Sequence, residues 1–100
     1  MIIITQNSNG FKIQGHAGYA PIGKDIVCAG VTSLFQTFIR SMEKLTADKI
    51  QYSISPGRAD IKYRNLSEAG KLLIDSFFLG VYQIADEFPE NVKIIDRDCR

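Results

Sequence analysis

The side chains of this sequence best suited to chemistry are its only histidine, His16, and the first of its two cysteines, Cys28. Both lie in GHAGYAPIGKDIVCAGV, residues 15–31, which also holds four of the eight glycines. A cysteine thiolate is a nucleophile, and an adjacent histidine can stabilise it and protonate a leaving group. The same segment contains GYAPIGK, residues 18–24, which fits the G-x-x-x-x-G-K part of a phosphate-binding loop. Two kinds of site are therefore possible, one built on a thiol and one on a phosphate cradle.

The phosphate-binding interpretation fails at the position that decides it. Such a loop needs a serine or threonine after Gly-Lys to hold magnesium, and this sequence has Asp25 there. A carboxylate at a helix start repels a bound phosphate, and Pro21 removes one N–H donor from the loop. The sequence thus argues against a nucleotide site.

The thiol interpretation depends on where the helix begins. Asp25 is a favourable N-cap residue, which makes Cys28 the third residue of the helix, among first-turn N–H groups that could hold an oxyanion. The helix dipole stabilises a thiolate there by about 0.3–1 kcal/mol, too little by itself for a strong nucleophile. His16 is the only histidine that could add to this, and residues 17–24 could fold back toward Cys28. The spacing leaves open the alternative of a small buried cysteine and a surface histidine.

Two neighbours of the thiol each allow two roles. Asp25 is expected first of all to cap the helix, and it could also orient His16. Thr32 lies one turn after Cys28, and its hydroxyl is expected to bond back to a helix carbonyl. The alternative for Thr32 is that its hydroxyl contributes to the site.

The loop between the histidine and the cysteine has glycine near both ends, at Gly18 and Gly23. Glycine allows backbone angles that other residues avoid, so the loop can swing about these positions. Tyr19 and Ile22 are the apolar side chains that it could lay against a peptide. We therefore expect a substrate loop that is variable without substrate, with His16 and Cys28 then farther apart than a hydrogen bond.

Apolar periodicity predicts seven elements in the chain. Alternation and turn residues predict strands at residues 2–5, 11–16, 50–55, 59–64 and 92–95. Spacings of three and four predict two amphipathic helices, one from Asp25 to about Thr46 and one from Ser67 until Pro89 stops it. The expected inward stripes are Val27, Val31, Leu34, Phe38, Met42 and Leu45, and then Ala69, Leu73, Phe77, Val81, Ile84 and Phe88. The order ββα-ββα-β predicts one two-layer α+β domain over residues 1–100, with a mostly antiparallel sheet of unreadable strand order.

The composition is that of an ordinary globular protein, with 45% hydrophobic and 23% charged residues and a net charge of +1. Neither apolar run is long enough for a signal peptide or a membrane span, which predicts a cytoplasmic protein that contacts no membrane. Cys99 lies in a charged tail and is expected to be incidental. One histidine, two cysteines and scattered carboxylates are a poor ligand set, so we expect no metal and no cofactor.

Gly15-His16-Ala17, the glycine-containing loop and Asp25-Ile26-Val27-Cys28-Ala29 together resemble the Prp family, the ribosomal-processing cysteine proteases of Firmicutes and related bacteria, with phage relatives. The resemblance extends over the whole chain in length and element order. It implies His16 and Cys28 as catalytic dyad and Asp25 as the motif aspartate. Gly30 and Thr32 depart from the more usual alanine and serine.

The resemblance also implies a substrate and an assembly. Family members remove an N-terminal extension from a large-subunit ribosomal protein, cutting after an aromatic residue, and phage relatives process capsid or scaffold proteins. It implies a homodimer that needs no nucleic acid. The alternative is a non-enzymatic ribosome- or RNA-associated binding domain, whose weak footprint would be Lys12, Lys62, Tyr63 and Arg64.

Overall fold

The computed structural model describes residues 1–21 and 23–97. Its elements follow the predicted order, ββα-ββα-β. They are β1 (Ile2–Asn7), β2 (Gly10–Gln14), α1 (Ile26–Leu45), β3 (Ile50–Ser55), β4 (Arg58–Tyr63), α2 (Glu68–Glu87) and β5 (Val92–Asp96). Within the described ranges no helix is long and apolar enough to cross a membrane.

The strands form one sheet in the order β3-β4-β2-β1-β5. Neighbouring strands run antiparallel except β1 and β5, which are parallel. This confirms the expected α+β fold with a mostly antiparallel sheet. The order places the β3–β4 hairpin beside β2, and it places the start of β5 beside the start of β1. Both neighbours matter for the site, because they bring distant parts of the chain to the end of β2.

The core lies between one face of the sheet and both helices. Alternate residues of β1, β2 and β4 point into it, as period-two alternation requires. Phe11 stacks on Phe77 at 4.9 Å between ring centroids and meets the ring of Phe38 at 5.5 Å. These ring contacts of Phe11, which lies on β2, therefore join the sheet to both helices.

The inward stripes of the helices are wider than the sequence predicts. Phe35 and Ile39 of α1 are buried, whereas Leu45, which was placed in the stripe, is 72% exposed. The corresponding additions in α2 are Gly70, Ile74 and Phe78, and Ala69 is exposed. Each helix packs against both the sheet and the other helix. Its buried surface is therefore wider than the single stripe that spacings of three and four predict.

Four of the five strands differ from the prediction in their bounds, and two of them, β1 and β5, end later than predicted, at Asn7 and Asp96. β2 ends at Gln14, two residues before His16, because Gly15 turns the chain with a φ of +92°. β4 runs from Arg58 to Tyr63 rather than over residues 59–64. The expected caps are correct, since Asp25 caps α1 and Ser67 caps α2.

Candidate active site

Cys28 is half-buried in the first turn of α1, as the third helical residue. The turn forms there because Asp25 supplies the cap: its Oδ1 accepts hydrogen bonds from the N–H groups of Val27 and Cys28, both at 3.0 Å. The predicted capping role of Asp25 is thus correct. No hydrogen bond joins Asp25 to His16 in the described part of the chain.

The second carboxylate oxygen of Asp25 holds the loop that precedes the helix. It accepts from the N–H groups of Tyr19 at 3.0 Å and Ala20 at 3.3 Å. The bond from the Cys28 N–H, helped by those from Ala20, Tyr19 and Val27, lowers the pKa of Asp25 below its usual value. One ionised side chain therefore fixes both the start of α1 and the loop.

The cap also removes donors that the sequence analysis assigned to an oxyanion. The N–H of Cys28 is taken by Asp25 Oδ1, and the N–H of Ala29 donates to the Asp25 carbonyl at 3.0 Å. The expectation that the Cys28 N–H holds an oxyanion is wrong for this conformation. Occupied N–H groups beside a carboxylate likewise cannot cradle a phosphate, which agrees with rejecting the phosphate loop.

A different backbone group faces the thiol. The N–H of Ala17 donates to Cys28 Sγ at 3.2 Å, and the Ala17 side chain is only 2% exposed. The carbonyl of Ala17 accepts from Asn91 Nδ2 at 2.9 Å. Ala17 is therefore held on three sides at the junction between the strand and the loop.

His16 lies just after the Gly15 turn and is exposed to solvent. The N–H of Gly15 donates to the carbonyl of Gly57 at 2.8 Å, which brings the β3–β4 turn against the imidazole. Gly57 has a φ of +69°, and a Cβ added there would lie 3.2 Å from His16 Nε2. The positive φ favours glycine at this position, and a side chain there would press on the imidazole, which would have to give by a few tenths of an ångström.

His16 and Cys28 open into the same cleft, which has a volume of about 230 Å³. No hydrogen bond joins the two side chains among the described residues. The cleft is lined mainly by Ile2, Ile13, Val31, Phe35, Ile54 and Ala59, with Thr32, Gln36, Ser55 and Arg58 as its polar lining residues. A thiol and an imidazole on one apolar-walled cleft can perform acyl transfer.

Thr32 lines this cleft with an exposed side chain. The expected bond from its hydroxyl back to a helix carbonyl is not present among the described residues.

The structure describes residues 17–21, 23 and 24 of the predicted substrate loop. Gly18 and Gly23 have positive φ values, +70° and +89°. The Tyr19 ring meets Phe88 edge-on at 5.2 Å, so this conformation directs the ring to the end of α2. Ile22 and Cys99 lie outside the described residues.

A larger cleft, of about 850 Å³, lies elsewhere on the sheet and includes Lys12, Lys62 and Arg64. Tyr63, the aromatic residue of the RNA-binding footprint, is buried with 8% exposure. The basic residues are therefore without an aromatic stacking platform at that position. In the described ranges no group of three or more His, Cys, Asp or Glu residues could hold a metal ion.

Three residues of the site were not singled out as site residues from the sequence. Ala17 was noted only within a motif, and Gly57, which follows Pro56 in the turn between β3 and β4, and Asn91 were not named at all. A Pro-Gly turn and an asparagine before a strand carry no local signal of chemistry. Their roles depend on contacts across 40 to 75 positions, which no short pattern contains.

Comparisons with known proteins agree with this fold. The ribosomal processing cysteine protease Prp of Staphylococcus aureus is 25% identical over 85 residues, covering 82% of this chain and 80% of the relative. The crystal structure of S. aureus Prp with a covalently linked product peptide matches with a TM-score of 0.93 at 20% identity, covering 97% of this chain and all of that one. A Streptococcus mutans protein matches with a TM-score of 0.73 at 26% identity, over 95% of this chain and 90% of its own.

These matches place the chain in the class of cysteine peptidases. It belongs to the family described as cysteine protease Prp, whose profile matches residues 1–93. The resemblance inferred from the His16 and Cys28 segments is thereby confirmed at the level of family and enzyme class.

Proposed function

We propose that this peptidase removes an N-terminal extension from a large-subunit ribosomal protein, with Cys28 as nucleophile and His16 as general base and acid. The observation that carries the dyad assignment is the shared cleft, where the half-buried thiol and the only imidazole meet one apolar-walled space. The ribosomal substrate is supported by the relative from S. aureus, which is a ribosomal processing protease.

The chemistry follows from the placement of the two side chains. Closure over a peptide brings His16 to the thiol, the thiolate attacks the scissile carbonyl, and the imidazolium protonates the departing amine. Water activated by His16 then hydrolyses the thioester, which releases the carboxylic acid product and restores the thiol. The Ala17 N–H donates to Sγ in this conformation and would be a backbone donor for the oxyanion once the sulfur has attacked, whereas the Cys28 N–H is held by the Asp25 carboxylate.

The cleft walls support an apolar residue next to the scissile bond. Ile2, Ile13 and Phe35 lie on the walls of the cleft that holds the thiol, and Ile54 borders it from the edge strand β3. Burial of a large side chain there contributes binding free energy in proportion to its apolar area. An aromatic residue at the cleavage position, which the family resemblance implies, is compatible with these walls.

An N-terminally extended large-subunit ribosomal protein tests the proposal directly. Mass analysis should show one cut that removes the extension, and Cys28→Ser should leave the substrate intact. Cys99→Ser, which deletes the other thiol, is the matched control and should cleave at the wild-type rate. Near-normal cleavage by Cys28→Ser would overturn the assignment of Cys28 as the nucleophile. A ribosomal protein that the wild-type enzyme leaves uncut would overturn the proposed substrate.

The homodimer, the single domain and the cytoplasmic location remain predictions of the sequence analysis. Light scattering on the purified chain tests the first of them. A phage capsid or scaffold substrate is the other target that the resemblance implies, and the same mass assay with such a protein tests it.

A further inference from the structure

We propose that Asn91 is a positioning residue for the cysteine nucleophile, acting through Ala17. The inference rests on the proposed function of Cys28. Asn91 donates from Nδ2 to the Ala17 carbonyl at 2.9 Å, and the Ala17 N–H donates to Cys28 Sγ at 3.2 Å. The two bonds link a side chain in the α2–β5 connection to the reacting sulfur through one residue.

Asn91 is itself held by its main chain, independently of its side chain. Its N–H donates to the Phe88 carbonyl at 2.9 Å, and its carbonyl accepts from the Ile2 N–H at 2.8 Å. These bonds fix Asn91 between the end of α2 and the start of β1. Replacing the side chain therefore leaves the backbone anchor in place and removes only the donor to Ala17.

Ala17 has little freedom while all its contacts are present. Its methyl group is buried among core residues, and its N–H and carbonyl are both hydrogen-bonded. Its orientation matters twice, because it directs an N–H at Cys28 Sγ and because it follows His16 directly in the chain. Loss of the Asn91 bond leaves the half-buried Ala17 carbonyl without its donor, so the backbone around Ala17 turns toward water.

The effect should fall on the chemical step. A thiolate that loses a hydrogen-bond donor is less stable, and the oxyanion formed next to it loses the same donor. The apolar walls that bind the peptide do not include Asn91. We therefore expect kcat to fall while KM stays nearly constant.

The test compares Asn91→Ala and Asn91→Asp with Asn9→Ala. Asn91→Asp keeps the shape of the side chain but cannot donate when ionised, so it separates the donor from the volume. Asn9→Ala makes the same deletion at an exposed turn at the far end of β2. Both Asn91 variants should lower kcat about tenfold, the loss expected for one hydrogen bond to a reacting group.

Two further measurements distinguish positioning from a structural role. The rate of iodoacetamide alkylation of Cys28 should reach its plateau at higher pH in both Asn91 variants, and the Ala17 amide should exchange hydrogen faster. Asn9→Ala should change neither. A lower melting temperature with unchanged kcat, alkylation profile and amide exchange would overturn the proposal, because Asn91 would then act on stability alone.

The outcome remains separable from that of the proposed function. If Cys28→Ser is inactive and the Asn91 variants have wild-type kinetics, the positioning role is wrong and the nucleophile stands. If Cys28→Ser still cleaves, the proposed function fails, and the alkylation and exchange data still decide whether Asn91 controls the thiol. Should Asn91→Ala not fold, Asn91→Asp, which keeps the side-chain volume, decides in the same way.

Discussion

The two helices begin with the same physical device, and only one of these beginnings presents a nucleophile. At α1 the carboxylate of Asp25 caps the first turn and holds the preceding loop. At α2 the Ser67 hydroxyl accepts from the Gly70 N–H, while Asp48 accepts from the Ser67 N–H and hydroxyl. At each start a carboxylate therefore joins the cap to another segment, which is the preceding loop at α1 and the residues before β3 at α2.

The difference lies at the third helical residue and in what surrounds it. At α1 this residue is Cys28, which opens into the cleft shared with His16. At α2 it is Gly70, and a Cβ there would collide with the carboxylate of Asp48. A helix start is thus no site by itself. Neighbouring elements decide whether its third residue shares a cleft with an imidazole or lies against a carboxylate.

Removing either member of the proposed dyad should break the comparison most strongly. We expect Cys28→Ser and His16→Ala each to lower kcat by at least ~10³, which corresponds to about 4 kcal/mol of transition-state stabilisation. The reason is that one change removes the nucleophile and the other its proton carrier. Steady-state cleavage and thiol alkylation measure the effects. Rapid alkylation in His16→Ala would contradict the role of the imidazole.

Closing the space beside the imidazole is the next largest change. Gly57→Ala forces a left-handed φ on alanine, which costs about 1–2 kcal/mol of stability. It also places a Cβ 3.2 Å from His16 Nε2. We expect kcat to fall about tenfold because the ring must shift. Unchanged kinetics with the expected loss of stability would show that the turn does not determine the position of His16.

Changes at Asp25 should separate the cap from the loop anchor. Asp25→Asn keeps an oxygen for the Val27 and Cys28 N–H groups but turns an amide toward those of Tyr19 and Ala20. Since asparagine and serine cap as well as aspartate, neither Asp25→Asn nor Asp25→Ser should cost much above ~1 kcal/mol of stability. We expect kcat/KM to fall severalfold in both, as the loop loses its bonds. Equal activity of all three proteins would mean that Asp25 is a cap only.

The pH dependence of stability should report the same carboxylate. Because hydrogen bonds lower the pKa of Asp25 in the folded state, its contribution to stability is present above the unfolded value of about 3.9. That contribution is lost as the pH falls through the lower folded value. In urea titrations between about pH 5 and pH 2.5, Asp25→Ser should therefore lose less stability than the wild type. Parallel losses would contradict the lowered pKa.

A smaller kinetic effect is expected from the loop glycines. Gly18 and Gly23 have positive φ values, and a Cβ at either would contact nothing within 4 Å. Gly18→Ala with Gly23→Ala should lower kcat/KM severalfold by restricting the loop, and each alanine should cost about 1–2 kcal/mol of stability because it is held at a left-handed φ. An unchanged kcat/KM would show that Gly18 and Gly23 serve only to form the turn. Amide exchange across residues 17–24, with and without peptide, tests the predicted mobility.

The smallest effect on catalysis should come from the second helix start. Ser67→Ala removes the acceptor for the Gly70 N–H and the hydroxyl bond to Asp48. It should cost about 1 kcal/mol of stability, the usual value of a lost N-cap, and leave kcat unchanged. Chemical denaturation and peptide cleavage measure the two quantities. A fall in kcat would show that the two helix starts are coupled, and it would contradict the view that only the start of α1 serves the site.

Most of the fold could be predicted from local patterns, and the same patterns singled out the two side chains that share the cleft, His16 and Cys28. Alternation located five strands, three-and-four spacing located two helices, and Asp25 and Ser67 were recognised as caps because capping depends on a few adjacent residues. The widths of the buried stripes were underestimated, as Phe35 and Ile39 show. The Cys28 N–H does not serve as a free oxyanion donor in this conformation, because Asp25, acting as the helix cap, accepts its hydrogen bond.

The sequence by itself determined the elements, their caps, and a cysteine in the first turn of a helix that follows a histidine and a glycine-containing loop. The tertiary structure decided what surrounds that cysteine. Pairing of β2 with β4 brings Gly57 against His16, and pairing of β1 with β5 brings Asn91 to Ala17. Strand order arises from contacts across long stretches of chain, where side-chain packing over the whole sheet selects the register. Local sequence propensity does not determine strand order or register, so the cleft and its positioning contacts could be found only in the tertiary structure.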